Sequence, residues 1–227
     1  SRELVSPEFP VEYIIVPAVD ILTSESVISL ADKYPMIYAV IGVHPCDIKD
    51  NEETILDKTA IMLKHNKVIG IGETGLDFYW EKENIEKQKD FFRMQIRLAK
   101  EFNLPVIVHS RDSIKETIKI IKEEYNDKIY FQMHCFSGEL SDVSELLEFN
   151  KIYFSFCGNI TFKNYKGDDV VKSIPVERLL FETDSPFLSP VPFRGKTNFP
   201  YHIIHTIKKI SEIKNIEENH LKSIVRE

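Results

Sequence analysis

Seven times along the chain a short apolar, β-branched run gives way to a helical pattern, and no other feature restricts the fold so much. Strands are read at 13–19, 36–43, 67–73, 104–109, 129–135, 152–157 and 179–184. Helices follow through Val27, Ile28, Leu30 and Ala31, with Thr23 and Ser24 as cap candidates, and then near 52–65, 85–102, 112–125, 141–149, 168–173 and 201–213. Strands that are apolar on both faces belong to a parallel sheet covered by helices. The expected fold is therefore α/β, a (β/α)8 TIM-type barrel. Eight strands close such a barrel and seven are read. The polar, Pro-broken opening from Ser1 to Pro10 supplies none, so the first strand is expected to be absent from this chain, upstream of Ser1. The end at Arg226 and Glu227 carries no stop signal, so residues 1–227 are read as one barrel domain, trimmed at both ends. A flavodoxin-like open sheet is the competing fold, but it would gather its site at one switch point.

Four of the strands end on side chains that bind metals. Val68 to Glu73 is an apolar run that stops in a carboxylate between Gly72 and Gly75. Val106 to His109, Tyr130 to His134 and Leu179 to Asp184 repeat the design. A buried carboxylate gains nothing unless it is paired. Glu73, His109, His134 and Asp184 are accordingly read as ligands of one or two divalent ions, with Mg2+, Mn2+ and Zn2+ all open. Glu182 shares a strand face with Asp184 but lies deeper, and is read as the partner of an interior cation.

Around the same mouth lie candidates for holding substrate. His44 precedes Pro45 at a strand end, where it is either a site residue or a cap. Arg111 either clamps a phosphate or pairs with Asp112. Arg194 and Lys196 sit on a Gly-containing loop of the kind that holds phosphate in barrels, or else on a solvated one. Lys163 and Lys166 flank Phe162 and Tyr165, offering cations with aromatic faces for a base. Cys157 ends its strand and reads first as a core residue.

The formal charge of −7 rules out a non-specific nucleic-acid coat, while a few cations and a bound metal can still reverse the potential over one pocket. Three cysteines without short paired spacing fit reduced thiols in an intracellular, cytoplasmic protein better than a disulfide scaffold. No leader pattern opens the chain, although one removed earlier stays open, and no apolar run approaches the roughly 20 residues of a membrane helix.

Read together, the motifs resemble one family. They are Gly42-Val43-His44-Pro45, the stretch from Gly72 to Tyr79, Leu104 to Asp112, His134-Cys135-Phe136-Ser137-Gly138, Glu182 to Leu188, and Arg194-Gly195-Lys196. From about Tyr13 onward the chain is similar to the TatD-like metal-dependent hydrolases of the amidohydrolase superfamily. The resemblance implies Glu73, His109, His134 and Asp184 as metal ligands, with Glu73 bridging two ions, and it implies deoxyribonuclease activity. Many members carry a His-x-His pair on the first strand, which is not in this chain. Many also have Asn-Glu-Pro where this chain has Asn198-Phe199-Pro200, so no role of that Glu carries over.

The function expected is a metal-dependent deoxyribonuclease, a monomer that trims DNA ends, with Asp184 taking the proton of the attacking water beside Glu73. End trimming suits an acidic protein that can neutralise few phosphates. A metal-dependent amide or ester hydrolase is the alternative, because the same activated water attacks carbonyl carbon.

Overall fold

The computed structural model describes residues 11–48 and 52–226. The expectations for Ser1 to Pro10 and for Glu227 lie outside these residues. Among the described residues seven strands and eight α-helices follow one another, in two compact units, Tyr13–Met133 and a second that begins at His134.

The first unit is a run of βαβ crossovers: β1 (Ile14–Pro17), α1 (Ile21–Lys33), β2 (Ile37–Ile41), α2 (Glu52–Met62), β3 (Val68–Asp77), α3 (Ile85–Phe102), β4 (Val106–Arg111), α4 (Ile114–Glu124) and β5 (Phe131–Met133). The strands pair in parallel and in sequence order, β1 to β5. Parallel neighbours need a crossover, which is why each pair is separated by a helix. The core is apolar: Ile37, Ile41, Ile71, Val106, Val108 and Phe131 from strands, with Phe91, Phe92, Ile96, Ile118 and Ile121 from α3 and α4. Each fully buried aromatic or large aliphatic side chain stabilises by about 1.5–3 kcal/mol.

Helix α1 starts earlier than Thr23 and Ser24 suggest. Asp20 is the cap: its side chain accepts from the Thr23 amide at 2.8 Å, and the Thr23 hydroxyl accepts from the Asp20 amide at 2.8 Å. That exchange satisfies two orphan amides at once. Helix α3 buries Gln88, Phe91, Phe92, Gln95, Ile96 and Ala99 at helical spacing and ends on Asn103, left-handed at φ 55°. It is braced to α4 where Arg97 and Lys100 both reach Glu124, each at 2.6 Å.

Two strands run past their expected ends. β3 continues four residues beyond Glu73, and β4 two beyond His109. The glycines around Glu73, which suggest a strand end in the sequence, instead permit close approach between strands. Gly75 pairs with His109 at φ 140°, and a Cβ there would collide with the His109 carbonyl oxygen.

In the second unit α5 (Leu140–Leu146) precedes β6 (Ile152–Phe156), α6 (Asp168–Ser173) and β7 (Leu179–Phe181). β6 and β7 pair in parallel, Phe154 opposite Leu179. β7 stops three residues short of Asp184, which takes φ 55° and so leaves the extended conformation. A 3-10 turn, Pro200–His202, leads into α7 (Ile203–Lys214), and Asn215 at φ 53° ends it before α8 (Glu218–Arg226), a helix not separately expected. No helix among the described residues is long and apolar enough to cross a membrane.

Candidate metal centre

In the first unit one histidine lies between two carboxylates. His109 Nδ1 is 2.9 Å from Glu73 Oε1, and His109 Nε2 is 3.0 Å from Asp77 Oδ2. Register explains the arrangement. His109 pairs with Gly75, and Glu73 and Asp77 stand two residues to either side of that glycine on the same strand. The His44 ring meets the His109 ring edge to face at 4.4 Å, and its Nδ1 accepts from the Cys46 amide. Asp77 is 1% exposed. Burial alone would push its carboxyl up, but bonds from His109 and from the Trp80 and Tyr79 amides outweigh it and hold the pKa at about 2.

The backbone beneath this cluster is held by two glutamines of α3, seven residues and two turns apart. Gln88 accepts from the Asp77 amide and donates to the Asp77 and Glu81 carbonyls. Gln95 accepts from the Val43 amide and donates to the Val43 carbonyl and to Thr74. Both are buried, so each amide side chain replaces water at groups that strand pairing leaves open.

In the second unit Glu182 takes the corresponding role. Its Oε2 is 2.7 Å from His134 Nδ1, and its Oε1 accepts from the Cys135 amide and from the Cys157 thiol at 3.2 Å. Glu182 thus pairs as the sequence suggested, with an imidazole as the interior cation. Its partner is His134, because β7 ends early enough for the carboxylate to reach the strand exit at Cys135. Burial raises the Glu182 pKa, yet the His134 charge and these donors bring it below the usual value. Burial, then Cys135 and the Glu182 charge, push the Cys157 thiol well up, so it stays a donor. His134 Nε2 lies 3.8 Å from Asp184 Oδ1, beyond hydrogen-bond range.

This donor set fits a divalent ion. In each unit a carboxylate on one imidazole nitrogen fixes the ring so that the other can ligate, the arrangement that orients metal-bound histidines. Two ligands each about 2.1 Å from one ion stand at most about 4 Å apart, and the His134–Asp184 separation falls within that span.

The cations expected around the mouth are placed differently. Arg111 does not pair with Asp112: among the described residues its guanidinium lies over the rings of Tyr79 and Trp80, at 4.3 and 5.4 Å. Asp112 takes a left-handed backbone at φ 54°. Arg194 lies over the Phe162 ring at 4.5 Å, and Lys196 is exposed. Sequence reasoning missed Asp77, Gln88, Gln95 and Asn198. The signal for Asp77 was present, because a Glu73-x-Gly75-x-Asp77 strand puts both carboxylates on one face. Asn198, 2% exposed, donates to the Thr183 and Phe187 carbonyls, each at 2.7 Å, and so ties down the loop after β7.

Comparison with known proteins follows the same residues. The model of the family described as TatD related DNase matches residues 7–227. The chain is 43% identical over 218 residues to the uncharacterized metal-dependent hydrolase YabD of Bacillus subtilis, covering 96% of this chain and 85% of that protein. It is 34% identical over 184 residues to the uncharacterized metal-dependent hydrolase YcfH of Escherichia coli, covering 81% and 68%. Among solved structures it is similar to YJJV, a TatD homolog from Escherichia coli, with TM-score 0.89, 28% identity and coverage of 95% and 84%. That likeness agrees with the α/β TIM-type barrel class read from the sequence.

Proposed function

Because the chain belongs to the TatD related DNase family, a family of metal-dependent hydrolases, we propose that it hydrolyses DNA phosphodiester bonds and removes nucleotides from strand ends. The observation that carries this reading is the His109 ring held between Glu73 and Asp77, with His134 held in the same manner by Glu182. The proposed ligands of one or two divalent ions are Glu73 and His109 in the first unit, and His134 and Asp184 in the second. A bound ion would polarise a phosphoryl oxygen and make water nucleophilic near neutral pH.

The chain's own residues do the rest. Asp77 and Glu182, ionised and bonded to imidazole nitrogens, fix ring orientation and tautomer. Asp184, 30% exposed and standing off the strand, accepts the proton of the attacking water and returns it to the leaving oxygen. Arg111, on its Tyr79 and Trp80 platform, and Arg194 with Lys196 contact phosphates of the substrate strand. His44 packs on His109 and lines the approach. An acidic protein with so few cations near the site favours a strand end over a long duplex.

The test uses chelator-treated protein given back Mg2+, Mn2+ or Zn2+ singly, with a linear single strand and a closed circle of the same sequence. Loss of the linear strand only after metal return, with the circle intact, is expected. Rapid cutting of the circle would sink end trimming, and turnover without metal would sink the mechanism.

A further inference from the structure

Within the second unit lies a cleft of about 720 Å3 that the catalytic reading does not use. Phe162 and Tyr165 line it beside Lys163, Lys208, Lys209 and His205. Its walls are the loop after β6, the loop after β7 and the outer face of α7. The two loops are stitched together where the Val191 amide donates to the Thr161 hydroxyl at 2.9 Å. They continue directly from the segments that carry Cys157, Glu182 and Asp184, so the cleft opens at the same end of these strands as the His134 cluster.

Its charge runs against that of the whole chain. Two acids line it, Asp168 and Glu212, against three lysines, and Arg194 lies over Phe162 as a fourth cation. Lys209 is engaged by Asp168 at 3.5 Å. Among the described residues Lys163 and Lys208 form no ion pair, and both are exposed. Exposed lysines beside half-buried rings combine the two elements that bind single strands: cations for phosphate and π-faces for bases. A protein of net charge −7 gains such affinity only where cations are gathered locally.

We infer that this cleft is an accessory subsite for single-stranded DNA, with a base against Phe162 and Tyr165 and the flanking phosphates on Lys163 and Lys208. The inference rests on the nuclease reading and extends it. It gives the enzyme a hold on the strand away from the bond being cut, which would favour repeated removal from one strand.

The test compares wild type with a Lys163→Gln, Lys208→Gln double variant. A short nuclease-resistant oligothymidylate with phosphorothioate links is the binding probe, and a small chromogenic phosphodiester reports chemistry. The variant is expected to bind the oligonucleotide roughly tenfold more weakly and to lose about 1.4 from its salt slope, at roughly 0.7 per phosphate contact. Turnover of the small diester stays at the wild-type rate. An oligonucleotide with abasic sites is expected to bind wild type more weakly, because nothing is left to stack. Equal binding and salt slope in both proteins would overturn the subsite. Failure of wild type to hydrolyse either the diester or DNA would instead overturn the nuclease reading, and the binding comparison would still decide the cleft.

Discussion

In the unit Tyr13–Met133 the histidine of the candidate centre is His109, 2.9 Å from Glu73 and 3.0 Å from Asp77. In the second unit it is His134, 2.7 Å from Glu182 and 3.8 Å from Asp184. Both carboxylates of the first come from one continuous strand, whose Asp77 backbone is held by buried Gln88 and whose Thr74 hydroxyl is held by buried Gln95. Those of the second come from the chain just past a three-residue strand, and are steadied by a backbone amide, a thiol and a loop pinned through Asn198. One half is set by strand register and the other by chain leaving its strands. The first should therefore tolerate little displacement, and the second should adjust as substrate arrives.

The sharpest way to break the comparison is to remove one proposed ligand from each side. Glu73→Gln and His134→Ala should each lower turnover by more than about 100-fold, since even outer partners of metal ligands are worth about 10–100-fold. Circular dichroism should show an intact fold. Near-wild-type turnover in either variant would remove that residue from the metal site.

A finer comparison exchanges the supporting carboxylates. Asp77→Asn should weaken metal binding by about 10-fold and Glu182→Gln by about 100-fold. His109 keeps Glu73 as a second carboxylate at 2.9 Å, whereas Asp184 stands 3.8 Å from His134. Metal titration by calorimetry measures both, and the reverse order would contradict the contrast drawn between the two halves.

Next come the clamps. Gln95→Leu strands the Val43 amide and carbonyl in a buried place and should lower unfolding free energy by about 2–3 kcal/mol. Asn198→Ala should lower it by less, about 1 kcal/mol, because the Phe187 end of its loop is exposed. Urea denaturation of both variants decides the order.

The smallest effect concerns acid. Glu124 is raised by burial but brought lower overall by its bonds to Arg97 and Lys100. A folded pKa below the unfolded one stabilises above the ordinary carboxylate range, and that stability is lost as pH falls through the folded value. Glu124→Gln should thus lower stability by about 1 kcal/mol at neutral pH, with the difference closing in acid. Parallel curves for Glu124→Gln and wild type across the acid range would refute the linkage.

Much of this was legible in the chain. Alternating apolar runs and helical patterns located the seven strands found among the described residues, because burial on both faces leaves a continuous signal. The helices at 85–102 and 168–173 match their expected bounds. Glu73, His109, His134 and Asp184 stood out as polar side chains ending apolar runs. What stayed hidden depends on three-dimensional register. Asp77 lies beyond the strand end read at Glu73, where β3 continues to Asp77 itself. Gln88 and Gln95 look like ordinary polar positions on an amphipathic helix until the strand backbone arrives beside them. Arg111 stacks on Tyr79 and Trp80 because the aromatics after β3 come alongside the end of β4, which sequence distance conceals.

Gly75 carries a consequence that belongs to heredity more than to mechanics. A Cβ at this position would sit within the His109 carbonyl oxygen, and the backbone there is at φ 140°. Every single-base change that alters a glycine codon's meaning either installs a Cβ or ends translation. Position 75 therefore has no neutral neighbour in the genetic code, and a saturation scan scored for folded protein should recover glycine alone. A surviving Ala or Ser at that codon would show that β3 and β4 can part without losing His109.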